Sequence, residues 1–287
     1  MFWNQIKTAI LLASLSALLF LLGFWIGGNQ GLMVMFVFSM IMNFAMYFWS
    51  DKLVLSMYRA QPLDPVIHKR IYDIVGELCE HARIPMPKLW FIETSMANAF
   101  ATGRNPQHAS VAVTRGLLEI LDENEVRGVL AHELGHVKNR DILIATIAAT
   151  IATAIGYVAH MLQWTVLLGG RSDKDRGNAW GALIAALIMP LAATLIQLAI
   201  SRSREYLADE SGADFAGDPL ALASALEKLS NENRSQHIRP ESTAQTASAS
   251  LFIVYPFSGG GILSLFSTHP PMEKRIARLR GMAKKYR

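Results

Sequence analysis

The longest uncharged segment of this chain runs from Thr8 to Ser50 and contains no Asp, Glu, Lys or Arg. About 20 apolar residues in a helix cross the hydrocarbon core of a bilayer, so this segment has room for two crossings. Residues 27–31, which are rich in glycine, supply a tight turn between them. Two more uncharged segments follow at 142–170 and 177–201. The sequence therefore predicts four membrane helices arranged as two hairpins.

The overall composition also indicates a membrane protein. Of the 287 residues, 52% are hydrophobic and 17% are charged, whereas soluble domains carry about 25% charged residues. The single cysteine, Cys79, excludes an internal disulfide and suits a reducing compartment for the soluble part. The net charge of +4 is modest, and the short basic clusters lie beside apolar segments. Such clusters fit membrane orientation better than nucleic-acid binding, so no nucleic-acid partner is expected.

Basic residues near the ends of the apolar segments predict the orientation. If four helices cross the membrane, most of these basic residues fall on one side of it: Lys7, Lys52, Arg59, Lys138, Arg140, Arg202 and Arg204. Because positively charged loops stay in the cytoplasm, both termini are predicted to be cytoplasmic. The chain then divides into a membrane hairpin 1–50, a cytoplasmic part 51–141, a second membrane hairpin 142–201 and a cytoplasmic part 202–287. A re-entrant or interfacial second hairpin would leave the cytoplasmic parts in place.

The motif H-E-x-x-H occurs at His132, Glu133 and His136. On a helix, two residues four apart are offset by about 40° and ~6 Å of rise, so both imidazoles can bind one metal ion. Residues 122–125 indicate a capping box, and apolar residues follow it at helical spacing, so the motif is predicted to lie inside a helix. The alternative is a chance match, with two histidines on a solvated helix face.

A catalytic zinc site needs a third protein ligand and an open position for water. His136 lies shortly before the third apolar segment, and Glu205 lies shortly after the fourth. Antiparallel segments would place these residues at a similar height, so Glu205 is the predicted third ligand of one zinc ion per chain. Asp209, one turn further on, is predicted to accept a hydrogen bond from a ligand histidine. The alternative is that both carboxylates are solvated.

The remaining segments have recognisable patterns. A helix is predicted at 67–82, and strands are predicted at 88–93, 97–102 and 110–114. The run at 97–102 fits an ordinary sheet strand as well as a substrate-facing edge strand. A short helix over 220–229 precedes a polar segment, 231–250, that is predicted to be mobile. The basic closing helix from Met272 is predicted to be solvated, with contact to anionic headgroups as the alternative.

The order of motifs resembles the HtpX-type membrane zinc endopeptidases, bacterial relatives of the prenylated-protein (CAAX) protease and of the mitochondrial protease Oma. The resemblance covers nearly the whole chain and includes Asn98-Ala-Phe-Ala-Thr-Gly103, Thr114-Arg-Gly-Leu-Leu118, Ala131-His-Glu-Leu-Gly-His136, Ser203-Arg-Glu-Tyr-Leu-Ala-Asp209 and His269-Pro-Pro271. It implies an α-helical integral membrane protein with a mainly helical, gluzincin-like protease domain that carries a small β-sheet.

The same resemblance implies a function. It points to a zinc metalloendopeptidase of the bacterial inner membrane, with its active site in the cytoplasm. The enzyme would cleave misfolded or damaged membrane proteins as part of stress-related quality control, alongside an ATP-dependent membrane protease. Glu133 is the expected general base. The resemblance further implies that Asn98 contacts the substrate backbone and that His269 lies near the transition-state oxyanion.

Two other functions are considered. A CAAX-like processing protease for prenylated substrates would use the same zinc chemistry. A non-catalytic membrane scaffold could hold zinc without turnover, but a closed structural site uses a fourth Cys or His ligand and needs no base. Glu133 therefore argues for catalysis.

Overall fold

The computed structural model describes residues 2–147, 150, 202–236, 251–254 and 270–286. Within those ranges the chain is mainly helical with one small sheet, as predicted, and the sheet has four strands. The helices are α1 (Phe2–Met57), α2 (Lys69–Ala82), α3 (Arg115–Ile120), α4 (Glu123–Asn139), α5 (Arg202–Ala216), α6 (Pro219–Gln236) and α7 (Met272–Met282). The strands are β1 (Gln61–Pro62), β2 (Lys88–Ile92), β3 (Ala99–Gly103) and β4 (Ala109–Thr114). Residues 142–147 are also helical.

Helix α1 folds back on itself at Gly28. This glycine has a φ of +55°, which a right-handed helix cannot accommodate and which glycine adopts readily. On either side of it the two halves touch: Asn43 Nδ2 donates to Ser16 Oγ at 2.8 Å, and the ring centroids of Phe20 and Phe36 lie 5.9 Å apart. The chain therefore turns back within the predicted turn at 27–31, and the crossing of a membrane by both halves stays a prediction.

The second half of this hairpin, Gly28–Met57, is the only helix in the described part of the chain that is long and apolar enough to cross a membrane. Only 11% of its apolar window is buried inside the protein, and Met33, Val34 and Ile41 are 70%, 65% and 63% exposed. Of the four predicted membrane helices, the structure thus supports one. The second predicted hairpin, 142–201, lies outside the described residues except for 142–147 and 150.

The sheet has the strand order β1-β2-β4-β3. Strand β2 runs parallel to β4, with Leu89 opposite Val111, and β3 runs antiparallel to β4, with Ala101 opposite the same valine. Among the described strands β3 therefore lies at an edge of the sheet, and the interpretation that this edge faces substrate stays a prediction. The three predicted strands agree with β2, β3 and β4 to within two residues. Strand β1 was missed because two residues that include a proline carry no alternating pattern.

Helix α4 lies at the centre of the part of the chain that follows α1, where it contacts α2, β3, α5 and α6. Its contact with α5 depends on two glycines. A Cβ on Gly135 would lie 2.9 Å from the carbonyl oxygen of Ala208, and a Cβ on Gly212 would lie 2.8 Å from the backbone nitrogen of His132. The absence of these two side chains lets the helices approach closely enough to bring Glu205 beside the histidines.

The end of α1 packs directly on the soluble domain. Val54 and Leu55 are buried in a cluster with the sheet. The ring of Tyr58, just after α1, lies 5.7 Å from that of Phe100 and 5.1 Å from that of Phe252. The sheet and α1 therefore form one packed unit.

Two predicted segments differ from the structure. Helix α6 continues to Gln236, past the predicted end at 229, so residues 231–236 are helical. Helix α7 is not simply solvated, because Arg275, Ile276 and Leu279 are buried. These three positions lie on one face, and the rest of the core covers that face.

Candidate active site

Helix α4 begins with the predicted capping box. Asp122 accepts a hydrogen bond from the backbone N–H of Glu125 at 3.0 Å, and the Glu125 carboxylate accepts one from the backbone N–H of Asp122 at 2.9 Å. The helix then runs uninterrupted through His132, Glu133 and His136. Its regular geometry, together with close packing against α5, places both imidazoles on the same side.

The three predicted ligands converge. One ligand atom from each of His132, His136 and Glu205 lies within 4.8 Å of the others. The two Nε2 atoms are 3.2 Å apart, and the Glu205 carboxylate lies 3.5 Å from Nε2 of His136 and 3.8 Å from Nε2 of His132. Tetrahedral zinc with bonds of about 2.0–2.2 Å separates its ligand atoms by about 3.3–3.6 Å. The spacing therefore fits a zinc ion held by these three residues.

Each ligand histidine uses its other ring nitrogen to contact a carboxylate. Nδ1 of His132 lies 2.9 Å from Asp209, where the sequence placed this supporting group. Nδ1 of His136 lies 3.2 Å from both oxygens of Asp141. Such contacts leave Nε2 free for a metal and fix the ring orientation. Asp141 was not predicted. The left-handed Arg140, with φ of +56°, ends α4 and turns the chain back toward the site.

A fully buried arginine, Arg275, supports the site from α7. Its guanidinium donates to both carboxylate oxygens of Asp209, at 2.6 and 2.9 Å. It also donates to the carbonyl oxygen of Ile253 at 3.2 Å and lies 3.3 Å from the Glu205 carboxylate. Burial alone would raise the pKa of the Asp209 carboxyl, but Arg275 and His132 hold it well below its ordinary value. The sequence offered one signal for Arg275, an arginine on the apolar face of a helix.

The charges around the histidines point to a divalent cation. Four carboxylates and two guanidinium groups are buried there: Glu133, Asp141, Glu205, Asp209, Arg204 and Arg275. With the carboxylates ionised and the imidazoles neutral, four negative and two positive charges sum to −2. Uncompensated buried charge is costly, so a divalent cation is the natural complement. Burial lowers the pKa of His136, but Asp141, Glu205 and Glu133 together raise it to about 10, which shows the same attraction for positive charge.

The proposed base, Glu133, lines a cleft together with the two histidines. Its side chain is 2% exposed, and burial raises the pKa of its carboxyl above the ordinary value. The backbone N–H of Ala101 in β3 donates to it. The walls of the cleft include Leu251, Phe252 and Ile253. An edge strand and the metal-site side chains thus face one cavity.

Asn98 precedes β3 and is fully buried. Its side-chain amide donates to the carbonyl oxygen of Val254 at 2.6 Å and accepts from the backbone N–H of the same residue at 3.3 Å. The next contact along β3 is a bond from the Ile253 N–H to the Ala99 carbonyl oxygen at 3.1 Å. Ile253 and Val254 therefore contact the start of β3 directly. His269, the other residue suggested by the resemblance, lies outside the described residues.

Two histidines one turn apart, a glutamate from the neighbouring helix and a buried glutamate in the same cleft are the arrangement of an H-E-x-x-H metallohydrolase. Comparison with known proteins agrees, because residues 65–283 match the model of Peptidase family M48. The chain belongs to peptidase family M48 and is a zinc metalloprotease. The resemblance stated from the motifs is thereby confirmed.

Relatives match over nearly their whole length. A protein named Protease HtpX homolog from Syntrophobacter fumaroxidans is 52% identical over 283 residues, which cover 97% of this chain and 99% of the relative. One of the same name from Thermococcus sibiricus is 48% identical, covering 97% of this chain and 96% of the relative. The crystal structure of S. mikatae Ste24p matches with a TM-score of 0.52 at 18% identity, covering 97% of this chain and 66% of that one. At that identity, the structural match supports the fold alone.

Proposed function

We propose that this chain cleaves misfolded or damaged membrane proteins at the cytoplasmic face of the bacterial inner membrane, as a multi-pass enzyme with one zinc ion. The observation that carries the proposal is the continuity between α1 and the cleft. Phe252 lines the cleft and also packs against Tyr58, directly after the apolar helix. Peptide bonds close to the membrane surface would thus be the first to reach Glu133.

In the proposed mechanism, His132, His136 and Glu205 hold the zinc ion. When bound, zinc supplies a Lewis acid that polarises a carbonyl group and acidifies water. Glu133 accepts the proton of the attacking water and passes it to the leaving amine. Glu133 suits this exchange by its position, because it lines the same cleft as His132 and His136.

The substrate is proposed to bind as an extended peptide along the cleft side of β3. Addition to a sheet edge gives affinity through main-chain hydrogen bonds and demands little of the sequence, which suits an enzyme with many substrates. Ile253 and Val254 already contact the start of this strand, so the part near Ala101 faces the cleft. Asn98 could contact a peptide only by exchanging its two bonds to Val254, and its role stays a prediction. The proposed oxyanion role of His269 also stays a prediction.

Delivery of folded substrates requires help. The sequence contains no G-x-x-x-x-G-K-[ST] motif for binding ATP phosphates. We therefore propose that unfolding or extraction is passive or is carried out by an ATP-dependent membrane protease acting alongside. The excess of basic residues beside the apolar segments supports a cytoplasmic site.

The experiment compares membranes that contain the active chain with membranes that contain the Glu133→Gln chain. Many membrane proteins, especially damaged ones, should yield fragments only with the active chain. Cleavage confined to prenylated proteins would favour the alternative of a CAAX-like processing protease. Identical fragment profiles in the two membranes would contradict the proposed function and favour a non-catalytic scaffold.

A further inference from the structure

Arg204 precedes the proposed ligand Glu205 on α5 and lines the same cleft as Glu133. Its side chain is only 9% exposed. Its Nη2 atom is buried and has no hydrogen-bond partner in the described part of the chain. A buried guanidinium donor without an acceptor is costly, so Arg204 is placed to receive an acceptor from a molecule that enters the cleft.

The electrostatic surroundings of Arg204 decide what kind of acceptor fits. The carboxylates of Asp141 and Glu205 act on its charge, and Glu133 lines the same cleft. The six buried charged side chains sum to −2, and a divalent cation would bring that sum to zero. A carboxylate from a substrate would add an uncompensated negative charge beside three others. A neutral carbonyl oxygen adds none.

We propose that Nη2 of Arg204 donates a hydrogen bond to a main-chain carbonyl oxygen of the bound peptide. This inference rests on the proposed function as a peptidase and adds a substrate-binding residue to it. The hydrogen bond is made to the peptide backbone and not to a side chain, so it can form with substrates of any sequence. A guanidinium is suited to the task because it stays charged even when buried.

The test measures peptide binding without cleavage. Full-length protein with Glu133→Gln, in detergent and loaded with zinc, is titrated with a fluorescently labelled neutral peptide, and the Kd is compared with that of the same protein carrying Arg204→Gln. Loss of a hydrogen bond from a charged donor should weaken binding about 10- to 100-fold. Arg204→Lys keeps the charge and should lose less. Arg280→Gln is the matched control, because Arg280 is exposed and pairs with Glu227 at 2.7 Å.

Zinc content, measured on every variant, separates a substrate contact from support of the metal site. Unchanged zinc with weakened binding is the expected result. An unchanged Kd in Arg204→Gln would overturn the proposal, and so would loss of zinc from both Arg204→Gln and Arg204→Lys. A second peptide with Glu in place of Gln tests the acceptor. Equal weakening for both peptides supports a carbonyl oxygen, and weakening of the acidic peptide alone overturns it.

Cleavage by the chain with Glu133 intact tests the proposed function separately. If that chain binds the peptide through Arg204 but never cleaves it or any membrane protein, the proposed function fails while the assignment of Arg204 stands. If the chain cleaves normally and Arg204→Gln has the same Kd and kcat/KM as the parent, the assignment fails alone.

Discussion

The second half of α1 and the centre formed by α4, α5 and α7 distribute their side chains in opposite ways. Along α1, large apolar side chains such as Met33 and Ile41 are exposed. At the centre, six charged side chains are buried around two histidines. Each region reverses the usual rule of apolar inside and charged outside. The exposed apolar side chains of α1 fit a lipid surrounding, and the buried charges at the centre fit a bound cation. In each region the expected partner is the one that would compensate what the protein leaves uncompensated, which is apolar surface on α1 and negative charge at the centre.

The largest expected effect comes from removing a ligand at the centre. Glu205→Ala should lose zinc, because two imidazoles alone hold the ion poorly. The fall in zinc affinity should exceed the roughly 10- to 100-fold fall caused by changes in residues that support the ligands. Metal analysis of purified protein measures it, with His132→Ala and His136→Ala expected to behave alike. Glu210→Ala, an exposed position on the same helix, is the control. Full zinc in Glu205→Ala would move the third ligand elsewhere, first to Asp209.

Arg275→Met tests whether charge compensation stabilises the centre. The substitution leaves Asp209 buried without its main counter-charge and should destabilise the fold by about 3–5 kcal/mol. Denaturant unfolding in detergent measures the change. Arg280→Met on the same helix removes an exposed charge and should change stability by less than about 0.5 kcal/mol. Equal effects of the two substitutions would show that the buried ion pair does not stabilise the site.

A charge placed on α1 tests the other side of the comparison. Ile41 is 63% exposed within the apolar helix. Ile41→Arg should oppose membrane insertion by about 2.5–3.5 kcal/mol, the cost of an arginine near the centre of a membrane helix. The measurement is the fraction of chain integrated into membranes, with Ile41→Leu as the control. Equal integration of Ile41→Arg and the parent would mean that this face of α1 meets water or protein.

A smaller effect is expected from the close packing of α4 on α5. In Gly212→Ala the new Cβ would lie 2.8 Å from the His132 nitrogen, and such overpacking costs about 1–3 kcal/mol. The same change at Gly76, where a Cβ would meet nothing within 4 Å, should instead stabilise α2 by about 0.5–1 kcal/mol. If the helix contact is as tight as described, the free energy of unfolding falls in Gly212→Ala and rises in Gly76→Ala. Denaturant unfolding of both variants measures the two changes.

The same contrast explains how much the sequence could reveal. The α1 hairpin was predictable because an uncharged run and a glycine turn are local features. The capping box and the H-E-x-x-H helix are local too. Glu205 was reached only by assuming that the third and fourth apolar segments run antiparallel through the membrane.

The supporting residues of the site could not be found in this way. Arg275 acts through contacts with elements distant in sequence, and its one local signal, an arginine on the apolar face of a helix, does not name its partners. Asp141 lies only five residues from His136, but it follows the end of α4, where the helical pattern no longer predicts the direction of a side chain. Arg204 was visible only as one more basic residue beside an apolar segment. Helix α6 was predicted too short because its last residues, 230–236, are polar and lack an apolar stripe, although the helix continues through them.

Whether Glu133 is the general base is decided by the cleavage of a quenched fluorescent peptide by purified Glu133→Gln protein, with zinc content determined on the same sample. We expect normal zinc, normal thermal stability and no cleavage above background, because the amide cannot accept the proton of the attacking water. Cleavage near the parental rate with zinc in place would contradict the assignment of Glu133 as the general base of this metalloprotease.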